Sequence, residues 1–273
     1  MDEVLGYLLD DLGALRACSL ACKRLFGAAR PLIHRQLVCL DTRPNLPKRK
    51  RSLFSRRKRD PGPFERLIDA DRSGILRYTR QLTFKSKGGF LRPCFNPRDL
   101  QECLPHLQSI TGLHSLTLDT FRVSSFIPVF DKHFGMFTNT LRHLDIRNTY
   151  GTTRELSYII CQFPLLEDLT IVCPVCPVGE HSTHPGHQIP AITQSPPLRG
   201  KLILAQAIWR ELSEDLAAFP GGLNFRSLEL SLSEHLEPIF AACGHTATSI
   251  SYLWPHRDID GESNPSIQMH IVT

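Results

Sequence analysis

A short phrase of the form L-x-x-L-x-L recurs along the chain and limits what it can fold into. It stands at residues 113–118 (LHSLTL), 141–146 (LRHLDI), 166–171 (LEDLTI) and 225–230 (FRSLEL). Partial copies lie at 80–84 (RQLTF), 201–204 (KLIL) and 250–253 (ISYL). The central leucines Leu82, Leu116, Leu144, Leu169, Leu202, Leu228 and Leu253 are separated by 34, 28, 25, 33, 26 and 25 residues. The second half of the phrase alternates, so its apolar side chains point one way and the residues between them the other. One such strand cannot bury its apolar edge alone. Copies set side by side make a parallel sheet with a continuous leucine core.

The segments between phrases read as helices that return the chain. Val123, Phe126, Ile127, Phe130 and Phe134 fall near helical spacing. Residues 153–163 are the clearest case, with Leu156, Ile159, Ile160 and Phe163 on one face, Thr152 or Thr153 as cap and Pro164 just beyond the end. Residues 208–219, stopped by Pro220, and 235–243, stopped by Gly244, repeat the pattern. Strands and helices alternating in one direction predict an α/β fold, with a parallel sheet on the concave side and helices outside. The period and the phrase resemble those of leucine-rich repeats. The resemblance implies an irregular leucine-rich-repeat-like solenoid over residues 64–273, with residues 268–273 as a candidate last strand.

By alternation, the outward strand positions are Gln81, Thr83, Lys85, Ser115, Thr117, Asp119, His143, Asp145, Arg147, Asp168, Thr170, Ser227, Glu229 and Ser231. They are short, polar and of mixed charge, which suits a protein ligand better than a nucleic-acid groove. Thr83, Lys85, Ser115, Thr117, Asp119, His143, Asp145, Arg147, Asp168, Thr170 and Glu229 are the candidate target-binding residues of that face.

Residues 1–38 read as helices. Val4, Leu5, Leu8 and Leu9 share a face, Asp10 and Asp11 precede a new helix, and Pro31 is placed to start another turn. Cys18 and Cys22 are four residues apart on that helix and are expected in its core. The stretches 4–8 (VLGYL), 15–25 (LRACSLACKRL) and 29–35 (ARPLIHR) resemble the F-box of fungal proteins, truncated at its N-terminus because the usual Leu-Pro opening is absent. F-boxes commonly precede leucine-rich repeats. The resemblance therefore implies a short all-α segment, 1–44, that docks on the Skp-type adaptor and through it on the cullin of a ubiquitin ligase. Val4, Leu5, Leu8, Leu15, Cys18 and Leu20 are the residues expected to touch that adaptor.

The chain has 273 residues and a formal charge of +5. Eight bases lie within the twelve residues from Lys48 to Arg59, and without them the remainder stands at −3. Basic character is thus read as one local feature. Prolines at 44, 47, 61 and 63 bracket it, so 45–63 is expected to be a disordered linker. Lys48, Arg49, Lys50, Arg51, Arg56, Arg57, Lys58 and Arg59 resemble a nuclear localisation signal. Contact with a phosphate backbone or an acidic partner is the other use of such a run. Nine cysteines without a secretion signal point to the nucleus or cytoplasm, and no apolar run is long enough to cross a bilayer.

Cys173 and Cys176, followed by His181, His184 and His187, have spacing that zinc would accept. The same stretch holds Pro174, Pro177, Pro185 and Pro190 and explains the 33-residue interval, so a loop insertion is the reading taken, with no metal and no cofactor. No phosphate-binding glycine loop, G-x-S-x-G or H-E-x-x-H occurs. The expected function is therefore non-catalytic. It is recruitment of a protein substrate to a cullin-RING ligase, or alternatively a nuclear interaction scaffold without ligase assembly. Nucleic acid, which would rest on the linker alone, is the least favoured partner.

Overall fold

A computed structural model describes residues 5, 7–8, 11–41, 63–86, 104–120, 123–149, 151–172, 197–205, 210–231 and 235–253. Its frame is one eight-stranded parallel sheet in which strand order equals chain order. The strands are β1 (Gln36–Asp41), β2 (Gln81–Ser86), β3 (Ser115–Asp119), β4 (His143–Arg147), β5 (Asp168–Val172), β6 (Leu198–Ala205), β7 (Leu223–Ser231) and β8 (Ser249–Leu253). The helices are α1 (Leu12–Ala21), α2 (Lys23–Ile33), α3 (Pro63–Arg72), α4 (Val123–His133), α5 (Thr153–Cys161), α6 (Arg210–Ala217) and α7 (Glu237–Cys243). The architecture is α/β.

The phrase sets the register. Leu37, Leu82, Leu116, Leu144, Leu169, Leu202, Leu228 and Ile250 occupy one row across all eight strands. Cys39, Phe84, Leu118, Ile146, Ile171, Leu204, Leu230 and Tyr252 occupy the next inward row. Burial is nearly complete from Leu82 to Leu228 and falls at Leu37 and Ile250, on the first and last strands of the described sheet. Each fully buried leucine contributes about 1.5–3 kcal/mol.

Two strand assignments differ from the sequence pattern. The sheet begins at Gln36, inside the segment expected to be helical through residue 44, because 37–40 (LVCL) pairs in register with β2. In the last strand Ile250, not Leu253, aligns with Leu228; Leu253 aligns with Ser231. The candidate strand at 268–273 lies outside the described residues.

The helices that follow the strands cover the leucine rows and share one core with them. Phe130 and Phe134 stack at 4.9 Å between centroids, and Phe163 meets Phe130 edge-on at 5.4 Å. Phe84 of β2 meets Phe134, just past α4, at 6.5 Å, which ties the sheet to the end of that helix. Thr152 and Glu155 form a capping box on α5. Neighbouring helices are also tied by polar bonds. Tyr158 Oη donates to Asp131 at 2.8 Å, and Thr153 Oγ1 donates to Asp215. At the β5–β6 junction Gly200 has φ +83°, and a Cβ there would lie 1.9 Å from the Glu167 carbonyl oxygen. The positive φ and the Glu167 carbonyl leave room only for glycine, and the β6–β7 pairing shifts by one residue directly after it.

The first two helices form a separate small cluster. Asp11 caps α1 by accepting from Ala14 N–H at 2.8 Å. Cys22 is extended, ends α1, and accepts from Leu25 N–H at 3.4 Å through its sulfur. This break leaves Cys22 exposed and Cys18 half-buried, so the two do not form a shared core face. Pro31 lies inside the last turn of α2 and starts no new helix. Leu5, Leu15 and Ala29 are buried between these helices, with Leu8, Cys18 and Leu25 packed around them. Arg30 links the pair to the rest, donating to the Ser73 carbonyl at 3.1 Å and lying 5.7 Å over Tyr78.

Candidate functional site

Parallel register turns the outward positions into three rows. The first runs Gln36, Gln81, Ser115, His143, Asp168, Lys201, Ser227, Ser249. The second runs Val38, Thr83, Thr117, Asp145, Thr170, Ile203, Glu229, Ser251. Lys85, Asp119 and Arg147 belong to the third. The candidate target-binding residues therefore share one face. The sequence pattern missed Gln36 and Val38, which were read as helical, and Lys201 and Ile203 of the partial copy on β6.

Charge on this face is internally paired. Lys85 Nζ lies 3.0 Å from Asp119, His143 Nδ1 2.7 Å from Asp168, and Lys201 Nζ 2.6 Å from Glu229. Arg147 donates to both carboxylate oxygens of Asp145, at 2.9 and 2.8 Å from Nε. That hydrogen bonding raises the Arg147 pKa. The paired groups stand on neighbouring strands or two residues apart, the distances at which cross-strand pairs interact.

Asp119 is a correction. Alternation points it outward, yet it is only 5% exposed. Asn148 Nδ2 donates to it at 2.9 Å and Thr120 Oγ1 at 3.1 Å, in addition to Lys85. Thr120 and Asn148 follow β3 and β4 with φ of 61° and 49°. Their N–H groups donate to the Arg147 and Val172 carbonyls at 2.9 Å, so these turns close the strand ends. Asp119 anchors that end of the sheet and presents almost no surface to a ligand. Thr83, Thr117, Asp145, Thr170 and Glu229 are half-buried, and Lys85, His143 and Arg147 are exposed.

Ser115, His143 and Asp168 are adjacent in one row, which invites comparison with a nucleophile–base–acid arrangement. The geometry does not make Ser115 a nucleophile. His143 spends Nδ1 on Asp168, and no hydrogen bond joins Ser115 to His143 among the described residues. The strand backbone N–H groups are committed to the ladder and do not form an oxyanion pocket. Among the described residues no three His, Cys, Asp or Glu side chains gather as a metal site. What the face offers is a patterned, charge-balanced polar surface.

The second candidate surface is the N-terminal helical pair. Leu5 and Leu15 are buried inside it and hold its helices together, and Leu8 and Cys18 are half-buried. Leu20 is 87% exposed. Tyr7 at 90%, Leu12 and Phe26 are exposed as well, and they were not among the expected contacts. Val4, the basic run 48–59 and the Cys173–His187 stretch lie outside the described residues.

No described helix is long and apolar enough to cross a membrane. Comparisons of the chain with protein-family models, curated proteins and solved structures find no match in any of the three.

Proposed function

We propose that the chain is a non-catalytic, substrate-recruiting subunit of a cullin-RING ubiquitin ligase. In this proposal the finer architecture is a leucine-rich-repeat solenoid whose sheet is the concave wall, preceded by an F-box-like helical pair. The helical pair docks a Skp-type adaptor, and the polar sheet face holds a protein substrate. The carrying observation is one chain with two surfaces of opposite character. A helical pair with exposed Tyr7, Leu12, Leu20 and Phe26 leads directly into a sheet whose outer rows are polar and charge-balanced. Any ubiquitin transfer is then done by partners, and this chain supplies proximity.

The alternative, a nuclear interaction scaffold without ligase assembly, is favoured by one fact. Leu5 and Leu15 are used up inside the helical pair, which leaves fewer of the expected residues for an adaptor. Affinity purification of the tagged full chain, with mass spectrometry, separates the two. Ligase assembly predicts that adaptor and cullin co-purify and that a Leu12→Asp/Leu20→Asp variant loses both. Arg147→Glu should lose the substrate and keep the adaptor. Partners without cullin would select the scaffold.

A further inference from the structure

The first x of each phrase has a fixed place in the sheet. The Arg35 carbonyl accepts from Arg80 and Gln81 N–H at 2.8 and 3.0 Å, and the Arg80 carbonyl from His114 and Ser115 at 2.8 and 3.0 Å. The His114 carbonyl accepts from Arg142 and His143 at 2.8 and 2.9 Å, and the Arg142 carbonyl from Glu167 and Asp168 at 2.7 and 3.0 Å. Arg35, Arg80, His114 and Arg142 therefore stand immediately before four consecutive strands at the same height, along the edge where the strands begin. At one strand spacing each, the row is about 14 Å long.

The row is bounded. Glu167 reverses the sign at the fifth strand, and Gly200 at the sixth tolerates no side chain. Among the described residues no carboxylate pairs with Arg35 or Arg80. Among the described residues the Arg80 guanidinium donates to the carbonyls of Arg77 and Thr79, both at 3.3 Å. Arg142 holds Glu167 at 3.1 Å with both groups well exposed. His114 feels the three arginines around it. Burial, then Arg80, Arg142 and Arg35, hold the His114 pKa below its ordinary value. Like charges on neighbouring strands cost stability, and a ligand of opposite sign relieves that cost.

The length equals four or five residues of extended peptide. Guanidinium forks match carboxylates, and Glu167 against Arg142 is an internal instance of the contact. Nucleic acid fits less well, because the charges of the adjoining face are internally paired and its described outward rows carry no Phe, Tyr or Trp. That face offers neither a phosphate track nor a stacking platform.

We infer that the row Arg35, Arg80, His114, Arg142 is a docking strip for an Asp/Glu-rich peptide segment of a protein partner. This goes beyond substrate recruitment on the sheet face, since it uses the strand-entry edge and needs no adaptor.

The test is fluorescence anisotropy with a labelled twelve-residue Glu/Asp peptide, a neutral peptide and a single-stranded RNA of equal charge. The protein is the full chain with the eight bases at 48–51 and 56–59 changed to glutamine, so that the linker does not contribute. The acidic peptide should bind most tightly, and Arg35→Glu/Arg80→Glu should weaken it about tenfold or more. Arg226→Glu, at the equivalent position on β7 but beyond Glu167 and Gly200, should change nothing. If the double variant does not fold, two milder changes decide. Arg35→Gln should weaken binding, and Glu167→Gln, by freeing Arg142, should tighten it about two- to threefold. Equal affinity of parent and variants, failure of the parent to bind the peptide, or tighter binding of the RNA would overturn the strip.

Discussion

Helices α1 and α2 and strands β1–β8 both carry leucines every few residues, yet they treat them differently. Leu82, Leu116, Leu144, Leu169, Leu202 and Leu228 are all essentially buried, whereas Leu12 is 48% and Leu20 87% exposed. A strand inside the sheet has two hydrogen-bonded neighbours that repeat its pattern, so each apolar side chain is covered from both sides. The helical pair has a small core of its own, joined to the rest through Arg30, and leaves Leu12 and Leu20 exposed. Damage to the sheet should therefore spread, and damage to the pair should stay local.

The largest effect is expected at Leu144, in the middle of the leucine row. Leu144→Ala leaves a void between Leu116 and Leu169 and should cost about 3–5 kcal/mol, read as a fall in urea midpoint with the transition still shared by helix and aromatic signals. A cost under about 1 kcal/mol would mean that the rows are not a shared core. Gly200→Ala comes next, at about 3 kcal/mol, from a left-handed backbone and a clash with the Glu167 carbonyl. Its effect should be seen at β5–β6 first, as faster amide exchange there than at β2–β3.

The helical pair sharpens the contrast. Leu15→Ala should cost about 2–3 kcal/mol within the pair and accelerate alkylation of the half-buried Cys18. Cys243, buried and with its thiol pushed up to about 11 by that burial, should stay protected. Leu20→Ser, on the open face, should change stability by no more than about 0.5 kcal/mol. Simultaneous exposure of Cys18 and Cys243 in Leu15→Ala would show that the two regions unfold as one.

The same contrast explains what could be read from the residues alone. The rungs were legible because the alternation of Leu116 and Leu118, or Leu144 and Ile146, is a local signal that the sheet repeats. Strand β1 was not, because residues 34–37 (HRQL) lack the opening leucine and follow directly on helical sequence. Ile250 was missed for Leu253 because a partial phrase does not fix its own register. The basic edge was hidden by averaging. Outside the linker the chain is net acidic, and only the pairing brings Arg35, Arg80, His114 and Arg142 together. Asp119 shows the limit of alternation, which gives direction but not depth. The residues that cover it, Lys85 and Asn148, lie far away in sequence.

Asp119 supplies the most specific prediction. Burial alone would raise its pKa. The hydrogen bonds from Asn148, Lys85 and Thr120 outweigh that, and the net shift is downward. A carboxyl whose folded pKa lies below its unfolded value of about 3.9 adds stability above that pH and loses it as pH falls through the folded value. Lys85 is half-exposed, so its share is discounted for solvent, and Asp119→Asn should cost about 1–2 kcal/mol at pH 7. In urea titrations the gap between parent and variant should hold from pH 7 to about 5 and shrink below about pH 4. A gap constant down to pH 2.5 would mean that Asp119 acts through shape rather than charge. If it acts through charge at the closed strand ends, Asp119→Asn should leave partner capture intact while Arg147→Glu abolishes it, which separates the framework of this face from its contact surface.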